Sequence, residues 1–391
     1  MSVTGYAFAW DYLDDPDALA RTRKLDVDVV ALAASYHAAR VVNVFHPTRR
    51  IIDIPHSAFY GTRRDDAWRG HRLTPRAPTW LGRDDAFATS AQRLRREGID
   101  VDAWIVLTHL DDPEFTDLDL VERNAFGEPY PYALCPGSED VREYCLTLVE
   151  ESLRSTDVRG VVLEAAGPMG FEHAGVHDKS EFAALSASQC ELLSLCFCAS
   201  CRKGQRECGL EPDEVAAKVR TGIDDDAPSP ESALGTELAD AVAAYRVSLG
   251  TALREAIIER VREVQPGATI TLHVSPRRWA TGSFPALSAQ SWPTSIDAVV
   301  SNAWTPDMAE DDLRALADVV DGRAQIGAYV RLDRDWSGDG NDERLRRYVR
   351  AGVTELHVYH LGMLTKESSK TAESVIDSFR EIAARPNASP S

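Results

Sequence analysis

Gly160-Val161-Val162-Leu163-Glu164 is an apolar run without alternation, closed by a carboxylate. Alternating apolar and polar residues mark a strand with one wet face, whereas an unbroken apolar run marks a strand covered on both. Seven further runs, nearly all apolar, are read as strands with it: Gly5 to Trp10, Val27 to Ala33, Asp102 to Leu107, Thr269 to Val274, Ile296 to Val300, Gln325 to Val330 and Glu355 to Tyr359. Between them lie helical patterns, including Pro16 to Lys24, Arg83 to Glu97, a helix opened by Cys135-Pro136 with Ser138 as N-cap, and Ser232 to Val264. Met308 to Val320, Asp342 to Arg350 and Lys370 to Ala384 continue the series. Strands separated by helices predict an α/β fold, a (β/α)8 TIM barrel with insertions after strands 2 and 4. A doubly wound sheet is the competing arrangement, but no Gly-x-Gly-x-x-Gly follows the first strand. The strongest linker signal, Thr221 to Pro230, gives way at once to a resumed helical pattern, so residues 1–386 read as one domain and 387–391 as a loose tail.

Composition narrows the partners. The chain has 391 residues, 44% hydrophobic and 27% charged, with 43 basic against 62 acidic side chains and a net charge of −19. That charge opposes binding to a phosphate backbone or an anionic membrane surface. No stretch approaches the roughly 18 continuous apolar residues of a membrane-spanning helix. The first residues lack the basic start and apolar run of a signal peptide, so a cytoplasmic, reducing location is expected. Clustered cysteines in that setting bind metal more often than they form bridges.

In a barrel of this kind the chemistry sits at the carboxyl ends of the strands. Those positions hold Trp10 and Asp11, Tyr36 and His37, His109, Glu164, His273, Asn302 and Trp304, Arg331, and Tyr359 and His360. Aromatic faces stack on the C–H faces of a sugar, and His, Asn and Arg bond its hydroxyls, so the ring suits a carbohydrate. Glu164 stands out, because a glutamate directly after Val161-Val162-Leu163 is costly to bury unless it is paired or used. A carboxyl on rigid backbone in a partly dry cleft is what a general acid for a glycosidic oxygen requires.

Leu195-Cys196-Phe197-Cys198-Ala199-Ser200-Cys201 places three thiols in a C-x-C-x-x-C pattern. Three thiolates so close suit one tetrahedral ion, with zinc the default occupant and a fourth ligand still to be supplied. Cys190 and Cys208 flank the cluster, and Cys145 falls on the apolar face of its helix. His173-x-x-x-His177 lies between Glu164 and the cysteines, on a loop broken by Gly170 and Gly175.

The segment from Cys135 to Cys201 resembles the catalytic barrel of the family 42 β-galactosidases and related glycosidase-like barrels. Three features carry the resemblance, in order: Leu134-Cys135-Pro136 running into Val141-Arg142-Glu143-Tyr144, then Leu163-Glu164, then the Cys196, Cys198 and Cys201 cluster. It implies a glycoside hydrolase with Glu164 as acid/base, and a structural zinc held by Cys135, Cys196, Cys198 and Cys201. The pattern also departs from that family. Leu163 stands where the family has Asn, and the strand-seven glutamate is absent from Tyr329-Val330-Arg331-Leu332-Asp333. Asp333 is therefore the first candidate for the second carboxylate, with Asp11 as another. Two unlike functions stay open: a barrel that binds carbohydrate without cleaving it, and a metal-dependent sugar-converting enzyme using His37, His109, His273 and His360. Barrels of this type often form homo-oligomers, and self-association is the macromolecular partnership the sequence leaves open.

Overall fold

The computed structural model describes residues 1–175, 178–332, 336 and 340–384. All eight apolar runs are strands: β1 (Ser2–Ala7), β2 (Val29–Tyr36), β3 (Asp100–Val106), β4 (Gly160–Glu164), β5 (Thr269–His273), β6 (Ala298–Asn302), β7 (Gln325–Arg331) and β8 (Glu355–Tyr359). Each pairs in parallel with its sequence neighbour. β8 returns to β1 with Ser2 opposite Glu355 and Gly5 opposite Val358, which closes the sheet into a (β/α)8 TIM barrel.

The long helix Thr236–Val264 carries Arg254 into the gap between two strand ends. Its buried guanidinium donates to the carbonyls of Ala166, Ala286 and Pro285 at 2.9, 3.0 and 3.2 Å. One side chain thus ties the segment after β4 to the segment after β5 and satisfies three carbonyls.

Three details differ from the expected pattern. β1 ends at Ala7 because the Asp11 carboxylate accepts the Phe8 N–H at 2.8 Å and folds residues Ala9–Tyr12 into a turn. Trp10 thereby leaves the strand end and is fully buried. Between β5 and β6 the regular helical element is one short turn, Ala289–Ser291, rather than an α-helix. A third excursion follows β3, where Val121–Arg123 pairs antiparallel with Pro129–Leu134. The two expected excursions are also present. After β2, Ala39–Val42 pairs with Ile51–Ile54, and Ala58–Phe59 adds antiparallel to β2. After β4 come four helices, Ala187–Leu193, Ala199–Glu207, Pro212–Asp224 and Pro230–Leu234. The Thr221 to Pro230 stretch is the end of the third of these, the turn 225–229 and the first residue of the fourth.

The β4 insertion has its own apolar cluster, in which Leu192, Leu195, Phe197, Val215, Val219 and Leu234 pack around the cysteines. The barrel interior is less apolar than usual: Tyr6, Trp104, His273 and His357 are all buried there. Gly327 makes room for this, since a Cβ at that position meets the His357 ring at 2.6 Å. Among the described residues no helix is long and apolar enough to cross a membrane.

Candidate active site

Glu164 closes β4 opposite Val106, with its side chain almost wholly buried. Trp104, two residues earlier on β3, donates its Nε1–H to Glu164 Oε2 at 2.8 Å. His273 Nδ1 lies 3.7 Å from the same oxygen and makes no hydrogen bond of its own. Burial raises the Glu164 pKa, and hydrogen bonds from Ser283 and Trp104 together with the nearby His109 offset part of the rise. The carboxyl therefore holds its proton to higher pH than an exposed glutamate.

The backbone turns sharply after this residue. Ala165 has φ +54°, a left-handed conformation costly for a residue with a Cβ. Thr108 Oγ1 donates to the Ala165 carbonyl at 2.7 Å, and Ala165 N–H donates to the Ser283 carbonyl at 3.2 Å. These bonds hold the bend that presents Glu164. Below it a polar column continues into the barrel. His273 Nε2 is 2.7 Å from the Tyr6 hydroxyl, which is 3.1 Å from His357 Nδ1, whose Nε2 is 3.2 Å from Glu355.

Above Glu164 opens a cleft of about 510 Å³, a size suited to a small ligand. Of the residues expected at the site, Tyr36, His37, Glu164, Asn302, Trp304 and Tyr359 line it. Arg331 lies 5.0 Å from the Trp304 ring centroid and lines the adjoining cavity. His109 sits against His37, rings stacked at 4.2 Å and 16°, with Nε2 3.2 Å from Asp111 Oδ2. His273 is sealed beneath the cleft and meets Glu164 rather than the open space. Trp10 is placed away from the cleft, stacked on Phe8 at 4.5 Å. Asp11 also lies outside it, held by Phe8 N–H and Asn43 Nδ2 and lifted by burial to about 7. Buried His360 approaches Asp11 at 3.8 Å. His173 lines the cleft, while His177 and Asp333 lie outside the described residues. Among the described residues, the acidic side chains lining the cleft are Glu164 and Asp312, and Asp312 is paired with Arg277 at 2.9 Å.

The sequence reading missed Trp104, Ser283 and Tyr329. Trp104 was legible in principle: it stands two residues before the β3 position opposite Glu164, and side chains two apart share a face. Ser283 belongs to a loop with no periodic pattern, so nothing local points to it.

Two groups of side chains could hold a metal ion. Cys135, Cys196, Cys198 and Cys201 converge, with Cys135 Sγ 3.4, 3.5 and 3.9 Å from the sulfurs of Cys201, Cys198 and Cys196. Sulfurs about 2.3 Å from one tetrahedral centre are about 3.75 Å apart, so the spacing fits four thiolates on one ion. Disulfide-bonded sulfurs stand about 2.05 Å apart, well inside these separations. Backbone N–H groups of Arg123, Cys198 and Cys201 point at the sulfurs at 3.4–3.5 Å, as donors that stabilise thiolate charge do. The second group is His37, His109 and Asp111. Its imidazoles are nearly parallel and His37 Nδ1 already bonds the Ala38 carbonyl at 2.8 Å, so the ring lone pairs do not converge. This arrangement suits hydrogen bonding to hydroxyls better than coordination. Burial lowers the His37 pKa to about 3, which keeps its ring neutral.

No protein-family model matches the sequence, and no curated protein matches it. Solved structures do. The glycoside hydrolase domain of PgaB (BpsB) from Bordetella bronchiseptica superposes with a TM-score of 0.60 at 14% identity, covering 96% of this chain and 99% of that one. The catalytic domain of the β-amylase from Paenibacillus polymyxa gives 0.56 at 11% identity, covering 96% and 98%. The β-galactosidase from Bacillus circulans sp. alkalophilus gives 0.56 at 11% identity, covering 99% of this chain and 57% of that one. What the chain shares with them at these identities is the barrel.

Proposed function

We propose that the protein is a glycoside hydrolase in which Glu164 is the general acid/base. The observation that carries this reading is a buried glutamate at the end of β4, raised in pKa, bonded by Trp104 and facing a cleft lined with aromatic rings. In this reading Glu164 gives its proton to the glycosidic oxygen as the bond breaks, and Trp104 fixes which oxygen faces the substrate. Trp304 and Tyr359 stack on the sugar, while Tyr36, His37 and Asn302 take its hydroxyls. The order of Cys135, Glu164 and the C-x-C-x-x-C cluster, as in the family 42 β-galactosidases, supports the same assignment, and the glycoside hydrolase domains among the structural neighbours support a glycosidase-like barrel around it.

Asp333, just beyond β7, is the proposed second carboxylate. The two carboxyl groups of a retaining enzyme stand about 5–5.5 Å apart and those of an inverting one about 6.5–9.5 Å, so product stereochemistry reports their separation. The proposed occupant of the four cysteines is zinc, in a structural role, because four thiolates leave no open position for water or substrate. Glu164→Gln tests the central claim. Turnover on a panel of nitrophenyl glycosides should fall about 10²–10⁴-fold with the melting temperature and metal content unchanged. Full activity in that variant would overturn the reading.

A further inference from the structure

The cleft over Glu164 does not end at the barrel axis. It shares Asn302, Trp304 and Asp312 with a second cavity of about 490 Å³ that runs under the β4 insertion to Glu172, Glu191 and Arg277. It also shares Tyr359 and Met363 with a third of about 480 Å³, between the ends of β7 and β8 and the helix Lys366–Ala384. Each cavity alone matches a single small-ligand site, which spans roughly 300–1,000 Å³. Through these shared residues the three make one connected trench, and Glu164 lines its central part.

The junctions are aromatic. Trp304 separates the central and second cavities and Tyr359 the central and third, with the two ring centroids 5.3 Å apart. Tyr329 extends the strip beneath them, 5.8 Å from Trp304 and 5.5 Å from Tyr359. Flat rings in succession bind the C–H faces of successive sugars. The outer cavities add hydroxyl and charged partners: Thr365, Ser368 and Thr371 in one, Glu172, Glu191 and Arg277 in the other. An enzyme that trims terminal sugars needs a pocket closed just past the cleavage point, whereas among the described residues the space here continues from the cleft into both neighbouring cavities.

We infer that the ligand is a linear glycan chain of several sugar units, lying across the barrel mouth and cut internally at Glu164. The cutting step rests on the hydrolase reading above; the chain-binding trench does not. The test uses soluble linear polysaccharides (mixed-linkage β-glucan, galactan, mannan, chitosan) in affinity gel electrophoresis with the Glu164→Gln chain. Retardation by at least one polymer is expected, weakened about tenfold in Trp304→Ala and largely restored in Trp304→Phe, which keeps a stacking face. The wild-type chain should then lower the viscosity of that polymer well before reducing ends accumulate. Retardation by none of the polymers overturns the inference. Release of monosaccharides alone, with viscosity held, also overturns it while leaving the hydrolase reading intact. Retardation with no cleavage supports the trench and sinks the hydrolase reading.

Discussion

The connection leaving β4 starts at Glu164 and runs on to the three clustered cysteines, and its two ends are built on opposite terms. At Glu164 a single ionisable group is kept under-bonded: one indole N–H, one serine hydroxyl, and an imidazole at 3.7 Å that bonds elsewhere. At the cysteines all four sulfurs converge and backbone N–H groups close in, inside an apolar cluster separate from the barrel core. The first arrangement leaves a carboxyl able to change protonation at modest cost. The second suits a group that should never change state. The insertion thus pairs a poised end with a sealed one, and the sealed end pins the loop whose start presents the poised one.

The largest separation between the two is expected from Glu164→Gln. Loss of about 10²–10⁴ in turnover should accompany a melting temperature close to wild type, since the amide keeps the volume and an acceptor for Trp104. A melting temperature that falls as far as activity would show Glu164 to be a structural group. Cys198→Ser, or a chelator that strips whatever metal the four cysteines hold, should do the reverse. Stability should fall by several kcal/mol, with limited proteolysis cutting first within residues 187–235, because metal affinity is folding free energy for a cluster of this type. Reversible loss of activity on chelation with the fold intact would instead place a metal in the chemistry. Arg254→Met breaks the tie between the segments after β4 and β5 and leaves the Ala166 and Ala286 carbonyls without their donor, while Pro285 keeps the Ser275 N–H. Thermal melting should show a loss of about 3 kcal/mol, with activity reduced in proportion to the displaced Glu164 and Ser283.

How much of this could be read beforehand follows from which interactions are local. Most of the eight strands were legible because burial on both faces imposes a largely apolar run, a constraint each segment carries alone; Thr269–His273 and Glu355–Tyr359 alternate polar and apolar residues and were placed by the helical patterns around them. The place of Glu164 at a strand end was legible because a carboxylate closes such a run, and the convergence of the cysteines because the spacing of three of them is short-range. Trp10 was misplaced because the Asp11 side chain, four residues beyond the end of β1, decides where that strand stops. His273 was expected to touch substrate and touches Glu164 and Tyr6 instead, since facing the barrel axis and facing the cleft look alike in one strand. Ser283 and Arg254 act across long sequence separations, where no pattern in the chain records the contact.

The finest probe of the poised end is Trp104→Phe. The indole N–H stabilises the ionised carboxylate, so it holds the Glu164 pKa below the value burial alone gives. Removing it raises that pKa further. A hydrogen bond to a charged group is among the stronger ones in a protein, so the upward shift should be large enough to measure. If the protonated carboxyl is the working form, the limb of the pH–rate profile where activity is lost on raising pH should move to higher pH by that amount. The same shift has a thermodynamic sign. A carboxyl whose folded pKa exceeds its unfolded value contributes least where both states are ionised, so stability should decline as pH rises from the unfolded pKa through the folded one. Trp104→Phe should extend that decline upward, while Glu164→Gln should remove this group's share of it. A limb that stays in place, with the stability profile unchanged, would mean that Glu164 is set by its burial, Ser283 and His109. In that case Trp104 belongs with the packing of the barrel interior rather than with the site.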